Sequence, residues 1–519
     1  MTVLGFQLVV TMIGACVLSK LLSYFSLSRY IYRGLTRYLA PSDTQLLENH
    51  GNAKLKSRMK KRRADAGTTW RHSKPIDEDT FYFPRNFSIE LTSSRVTYSE
   101  VATLPLYSTF QWLLDFSICA FGVYFVTEFT YYFVTPWLYP LSSHETQKVT
   151  LSNILSLNTG FNLSLIWLLL SAWFCVTTLI SITTIYFRSS PNQTSNLHAT
   201  SSEWLLVMAS AFVHFILSVV LLSMDGKYFD FGVNDASLNL TTSLTTSGDS
   251  IYAFSKIVHF ILALISALIG ALFIYPGMKF GKVYFDAVRK SSLNPCWRVG
   301  FHLTFIAPLF PILLWIRPFT DHLSRSLALL SFNSVVVNRP FLHLVLSTAS
   351  SLFSTHLNTV RLLLSAMTYL DSAQDRIDQF SREIGRTSNK EVQRMVASIF
   401  YCLNLVALQW LAPTILLLIS ICLYKNSAGL AWFPVSTSST VRTACAQFSI
   451  AHSVPAQPSD SWLAFLTHAR QSFLQSSGQL CLRGVVIAET MTNFISWWLL
   501  VSMQTVNLIG LAYHRFVAE

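Results

Sequence analysis

Charged side chains are scarce in this chain. Only 12% of its 519 residues are Asp, Glu, Lys or Arg, about half the share found in a typical soluble protein. The sequence has no Cys-x-x-Cys pair, no Gly-x-Gly-x-x-Gly, no P-loop and no Gly-x-Ser-x-Gly, and His144-Glu145 lacks the second histidine of a zinc-protease motif. These absences leave metal-knuckle, nucleotide-binding and hydrolase functions without support, so we predict a non-enzymatic protein with no metal and no cofactor.

Hydrophobic residues are abundant instead. They make up 51% of the chain, the mean hydropathy is +0.42, and several apolar runs approach the ~20 residues that a helix needs to cross the hydrocarbon core. The ~10-residue alternating segments of a membrane β-barrel are not seen. The sequence therefore predicts an all-α, polytopic helical membrane bundle of about nine transmembrane helices. The predicted spans are 3–22, 109–134, 161–187, 204–224, 257–276, 299–316, 341–366, 396–424 and 490–513.

The distribution of Lys and Arg predicts the orientation. With the N-terminus lumenal or extracellular and the C-terminus cytosolic, the inner segments hold 26 basic residues and the outer segments 10, as the positive-inside rule expects. This asymmetry explains the net charge of +12 without a nucleic-acid partner. The predicted regions are an uncleaved anchor (1–22), a basic cytosolic loop (23–108), spans two to seven (109–366), a cytosolic helical hairpin (367–395), and the last two spans (396–519), which enclose an outer loop (425–489). The protein is expected in the plasma membrane or an endomembrane.

Two basic clusters in the first cytosolic loop are candidates for contact with anionic lipid. Arg29, Arg33 and Arg37 recur every four residues, which predicts a short helix in the headgroup layer, the alternative being a solvated linker helix. The second cluster lacks apolar periodicity and is expected to be disordered and attracted to the inner leaflet, unless it serves only to set topology. Its members are Lys54, Lys56, Arg58, Lys60, Lys61, Arg62 and Arg63.

The fourth cytosolic segment contains helix signals. Ile377, Phe380 and Ile384 follow helical spacing, Gly385 is suited to end that helix, and Ser388-x-x-Glu391 matches a capping box that starts another. The segment is predicted to form a hairpin, either as a docking surface for a partner or as a simple helical connection.

Two covalent features are predicted for the outer loops. Among four Asn-x-Ser/Thr sequons, only that of Asn239 falls in an outer loop, so Asn239 is the expected glycosylation site. Cys445 and Cys481 share the last outer loop, where a disulfide between them is permitted.

Ionisable and amide side chains within the spans are the candidate functional residues. Asp115 and Glu128 are thirteen residues apart in the second span, about 20 Å along a helix, and therefore form two separate sites. Depth suggests Arg361 as the partner of Asp115 and places His259 near Glu128, while His214 and Gln409 sit close to the midplane. Such residues usually face the bundle interior. They either hold the fold together, line a permeation or proton pathway, or reach the headgroups.

Several stretches in order along the chain resemble the transmembrane protein 161 family. They include GFQLVVTM, QWLLDF, VYFVTEFTYY, IGALFIYPG, HLTFIAPLFPILLWIRP, IGRTSNKEVQRMVASIFY, ALQWLAP and SWWLL. Asp115 and Glu128 lie within the matching stretches. The resemblance implies a multi-pass membrane protein associated with tuning ion currents in excitable cells, including heart rhythm, and with resistance to oxidative stress.

Three functions remain open from the sequence. The first is modulation of ion channels or membrane excitability through partner proteins, with channel subunits and membrane lipid as the expected partners. The second is an ion or proton transporter or channel that uses the intramembrane carboxylates. The third is a structural or oxidative-stress-response protein of internal membranes.

Overall fold

The fold was analysed in a computed structural model. It describes residues 2–24, 27–32, 36–43, 45–46, 82–84, 92–130, 164–188, 197–234, 248–289, 295–330, 345, 348, 377–378, 382, 385–401, 403–428 and 462–516. Helices dominate these residues. The chain divides into two compact units: Met1–Ser26, Leu113–Asn358 and Gln409–Glu519 form unit 1, and Leu27–Trp112 and Thr359–Leu408 form unit 2.

Thirteen helices and four short strands lie in the described part of the chain. The helices are α1 (Thr2–Tyr24), α2 (Leu27–Ile31), α3 (Tyr98–Ala102), α4 (Tyr107–Phe129), α5 (Leu165–Arg188), α6 (Leu197–Ser223), α7 (Gly248–Arg289), α8 (Pro295–Ile306), α9 (Leu309–Leu314), α10 (Arg317–Leu330), α11 (Asn389–Tyr401), α12 (Leu403–Ser427) and α13 (Trp462–Phe516). The strands are β1 (Thr36–Tyr38), β2 (Tyr82–Pro84), β3 (Ser93–Arg95) and β4 (Arg386–Ser388).

Seven described helical segments are long and apolar enough to cross a membrane. They are Thr11–Ile31, Tyr107–Phe129, Leu165–Phe187, Trp204–Ser223, Lys256–Lys282, Leu403–Ser427 and Val486–Phe516. They correspond to seven of the nine predicted spans, so the helical membrane class is confirmed and the count of nine is not. The predicted seventh span lies almost wholly outside the described residues.

The predicted sixth span is interrupted rather than continuous. α8 ends at Ile306, α9 begins after Pro308, and Trp315 and Ile316 separate α9 from α10. Because proline lacks an N–H, neither Pro308 nor Pro311 can donate to the carbonyl four residues before it, and the Ala307 carbonyl accepts from the Phe310 N–H instead, at 3.3 Å. Each helical piece is shorter than the ~20 residues that a crossing needs, which explains why this region is absent from the seven segments.

Glycines set a close helix contact in unit 1, between α7 and α13. A Cβ on Gly281 would lie 2.6 Å from the backbone of Gly510, and one on Gly510 would lie 2.8 Å from the carbonyl oxygen of Gly277. Gly277 and Gly281 are four residues apart, the spacing that lets two membrane helices touch backbone to backbone. This approach excludes any larger residue at the contact.

Unit 2 joins distant segments through short antiparallel strands. β1 pairs with β3, and β2 pairs with β4, so residues around 83 and 387 are hydrogen-bonded neighbours. Polar side chains add to this pairing, since the Asp43 carboxylate accepts hydrogen bonds from Asn389 Nδ2 and Gln393 Nε2, both at 2.9 Å. The first predicted cytosolic loop and the segment before α12 therefore fold together.

The helix predicted around Arg29 to Arg37 is shorter than expected. α2 ends at Ile31, and Arg37 lies on β1, where its Nη2 is 2.7 Å from the Glu100 carboxylate. Arg29 stacks over the Tyr98 ring. Pairing of Arg37 with β3 and Glu100 outweighs local helical periodicity, so this arginine makes protein contacts where a lipid contact was predicted. Arg33 and the cluster Lys54 to Arg63 lie outside the described residues.

The segment before α12 also differs from the predicted hairpin. Gly385 has φ +149°, and the residues after it form β4 before α11 begins at Asn389. Ser388 Oγ accepts from the Glu391 N–H at 3.2 Å, which confirms that half of the predicted capping box. The Glu391 carboxylate accepts instead from the Thr387 hydroxyl at 2.8 Å.

Candidate functional site

The most deeply buried charge pair in the described part of unit 1 joins α4 to α12. Lys425 Nζ lies 2.5 Å from Glu128 Oε2, and the side chains are 4% and 10% exposed. A single buried charge in a membrane protein is costly, so each group requires the other. Since α12 continues to Ser427, Lys425 lies on the helix, although the sequence predicts it at the start of the outer loop. The sequence predicts His259 near Glu128, but the structure shows Lys425 as the cation that binds this carboxylate.

Helix ends explain why a lysine suits this position. Glu128 and Lys425 both lie in the last turn of their helices, where unpaired carbonyls create a partial negative charge. A carboxylate alone would be disfavoured there, whereas an ammonium group is favoured. Lys425 therefore offsets both the charge of Glu128 and the dipoles of α4 and α12.

Hydroxyl groups beside the ion pair connect α4 to α5. Thr127 Oγ1 lies 3.1 Å from Ser164 Oγ and donates to backbone carbonyls of its own helix, and Ser117 Oγ lies 2.9 Å from Ser171 Oγ. All four side chains are buried. These contacts satisfy polar groups within the bundle, where lipid offers none.

Asp115 and Glu128 are separate sites, as predicted. α4 is continuous from Tyr107 to Phe129, so the two carboxylates remain about 20 Å apart. Asp115 is half-buried. Its predicted partner Arg361 lies outside the described residues, so that pairing stays a prediction.

His214 occupies the interior of unit 1 at the middle of α6. It is 2% exposed. Its Nδ1 donates to the Ser210 carbonyl at 2.8 Å, and its Nε2 lies 3.3 Å from Thr505 Oγ1 on α13. The ring requires a glycine at position 270, since a Cβ there would lie 2.3 Å from it. His214 thus links α6, α7 and α13.

Gln409 is fully buried on α12, while His259 is half-buried on α7. Gln409 Nε2 donates to the Tyr186 hydroxyl at 2.6 Å, and the Tyr186 ring stacks on Tyr275 with centroids 4.3 Å apart. Gln409 is thus directed into the bundle, where its partner comes from α5.

α13 supplies polar groups that the sequence reading did not single out. Asn493 Oδ1 accepts from Trp315 Nε1 at 2.7 Å, Trp497 Nε1 donates to the Ile312 carbonyl at 3.1 Å, and Gln504 Nε2 donates to the Phe305 carbonyl at 3.0 Å. These contacts satisfy polar groups around the interruption between α8 and α10. In the sequence, the amides Asn493 and Gln504 within an apolar run are the signal that indicates such polar contacts.

A compact turn follows α6. Both carboxylate oxygens of Asp225 accept hydrogen bonds from the backbone N–H groups of Gly226, Phe231, Gly232, Val233 and Asn234. Gly226 and Gly232 have φ +85° and +74°, which glycine adopts without strain. The turn is thus organised around one buried acid.

A family model described as predicted transmembrane protein 161AB matches residues 2–139 and 145–518. The chain belongs to the transmembrane protein 161 family. No solved structure matches it. Family membership and the seven apolar helical segments together establish an integral, multi-pass membrane protein.

Four cysteines whose side chains the structure describes are free thiols: Cys16, which is exposed, and Cys119, Cys175 and Cys422, which are buried. Cys481 lies on α13, which begins at Trp462 within the predicted outer loop. Cys445 and Asn239 lie outside the described residues, so their predicted modifications stay predictions for this member of the transmembrane protein 161 family.

Proposed function

We propose that the chain is a non-enzymatic membrane protein that modulates ion-channel activity or membrane excitability through partner proteins. The observation that supports this function is the folded unit 2. Strand pairing of β2 with β4 and the contacts of Asp43 with Asn389 and Gln393 assemble a defined surface from segments far apart in the sequence. In the proposed orientation these segments face the cytosol, where a channel subunit is accessible to them.

The buried ion pair supports a structural role for Glu128. Its carboxylate is 2.5 Å from Lys425 Nζ, so charge is compensated within the bundle. A carboxylate that carries ions or protons must instead exchange partners during its cycle. Compensation of this kind favours modulation over permeation.

Current recordings in excitable cells that express the chain test the proposal. Depletion should alter a native current, and the wild-type chain should restore it. Asp43→Ala removes the acceptor shared by Asn389 and Gln393 and should fail to restore the current at equal surface abundance. Arg394→Ala changes an exposed residue on α11, the helix that carries Asn389 and Gln393, and should restore the current. Equal rescue by both variants would contradict a role for this surface.

The second candidate function is an ion or proton transporter or channel, favoured by the two charges buried in the spans. Purified protein in liposomes distinguishes it. Flux that is abolished by Glu128→Gln would support transport and refute modulation as the primary function. An absence of flux, together with the altered current after depletion, supports modulation.

A further inference from the structure

A small cavity lies between α7, α12 and α13 within unit 1. Its volume is about 20 Å³, and its lining includes Pro276 and Gly277 of α7, Gln409 and Trp410 of α12, and Asn507 of α13. One water molecule needs roughly 10–15 Å³ of such space. The cavity therefore has room for one guest of that size.

Two of the lining residues have buried polar atoms that need a partner. Gln409 Oε1 and Trp410 Nε1 have no hydrogen-bond partner among the residues that the structure describes. Gln409 is 0% and Trp410 5% exposed, so bulk water does not satisfy them. The amide of Gln409 already uses its Nε2 on Tyr186, which leaves its oxygen as the acceptor. A buried unsatisfied group of this kind costs about 1–3 kcal/mol.

Two prolines of the cavity lining each leave one backbone carbonyl without its helical donor. Pro413 has no N–H for the carbonyl of Gln409, and Pro276 has none for that of Leu272. Both prolines line the cavity. Carbonyls released by helix breaks in a membrane protein are tolerated where other groups or ordered water satisfy them.

We propose that this cavity is a binding site for one water molecule that bridges α7, α12 and α13. The guest must accept a hydrogen bond from Trp410 Nε1–H and donate one to Gln409 Oε1, and its second O–H can donate to one of the two released carbonyls. Water does both. A monovalent cation fits the oxygens but would face the positive end of the Trp410 N–H dipole.

The chemistry also indicates what the water does. It completes hydrogen bonds beside the prolines inside α7 and α12, where direct side-chain contacts do not. Gln409 lies about six residues from the middle of the observed span, roughly 9 Å along the helix from its midpoint, whereas the sequence predicts it close to the midplane. A bridging water there satisfies polar groups of α7 and α12 that lipid would leave unpaired, independently of the function proposed above.

Radiolytic hydroxyl-radical labelling of the purified full-length protein in detergent tests the proposal, because radicals generated from a bound water oxidise the side chains around it. Trp410 should be labelled several-fold more than Trp498, which is buried and donates to the Ser266 carbonyl at 3.2 Å. Equal labelling of the two tryptophans would overturn the site.

Two variants that remove polar lining groups separate a bound water from general access. Gln409→Leu and Asn507→Leu should each reduce labelling of Trp410 to the level of Trp498, with monodisperse elution showing that the protein is folded. Should one variant not fold, the other still decides. Unchanged labelling in a folded variant would refute a bound water. Labelling that falls when Na⁺ replaces a large organic cation would identify a metal-ion guest and overturn the proposal as well.

Discussion

Replacing Lys425 with methionine should destabilise unit 1 strongly, because it leaves the Glu128 carboxylate buried without its cation. The side chains of this pair are 4% and 10% exposed, so screening by solvent is small. Breaking a buried pair by removing one partner costs about 3–5 kcal/mol. We therefore expect a loss of about 4 kcal/mol. Equilibrium unfolding of the wild type and the Lys425→Met variant in mixed micelles at pH 7 measures this loss.

The double variant Glu128→Met/Lys425→Met is the matched control. Replacing a buried ion pair by apolar residues of similar volume is often close to neutral. The double variant should therefore lose less than half of what Lys425→Met loses at pH 7. A cost below about 1 kcal/mol for Lys425→Met, or losses in the double variant equal to the sum of the single ones, would refute a pair held together by mutual neutralisation.

Three further predictions concern other parts of the chain. Gly281→Ala should lower the free energy of unfolding by about 1–3 kcal/mol, because its Cβ meets the Gly510 backbone at 2.6 Å. Gly300→Ala is the control: its Cβ would have nothing within 4 Å, so it should be neutral or stabilising in the same unfolding assay. Asp225→Ala should lower the melting temperature more than Gly300→Ala does, since it removes the acceptor for five N–H groups; an unchanged melting temperature would refute that role. Asn239→Gln should remove a glycosidase-sensitive gel shift, and a shift lost only through Asn86→Gln would reverse the predicted orientation.

Hydrophobic periodicity and span length were enough to predict the class of this fold. The apolar runs that exceed ~20 residues reappear as helical segments, because a backbone in lipid has to satisfy its own hydrogen bonds. The interrupted sixth span was less predictable. Pro308 and Pro311 indicate a break, but the side chains that stabilise it, Trp497 and Gln504, come from a helix almost two hundred residues away.

Contacts between distant residues account for what the sequence did not predict. Arg29, Arg33 and Arg37 have helical spacing, yet β1 forms because β3 lies beside it, a pairing that no local pattern encodes. The sequence predicts Lys425 in a loop, because hydropathy ends the apolar span where the next charged residue occurs. The structure shows that a charged side chain at a span boundary can be buried in the bundle when its partner is buried there too.

The positions of Glu128 and Lys425 explain why an acid is tolerated in an apolar helix. Each residue lies in the last turn of its helix, within reach of the headgroup region by side-chain length, yet both point inward and are buried. If hydration alone determined the conformation of Glu128, its side chain would extend toward water. Burial of both charges instead fixes the register of α4 against α12, since sliding either helix by one turn, about 5.4 Å, would separate the pair. A swapped pair, Glu128→Lys/Lys425→Glu, should therefore retain more stability than either single reversal, and equal losses in all three variants would show that the register is set elsewhere.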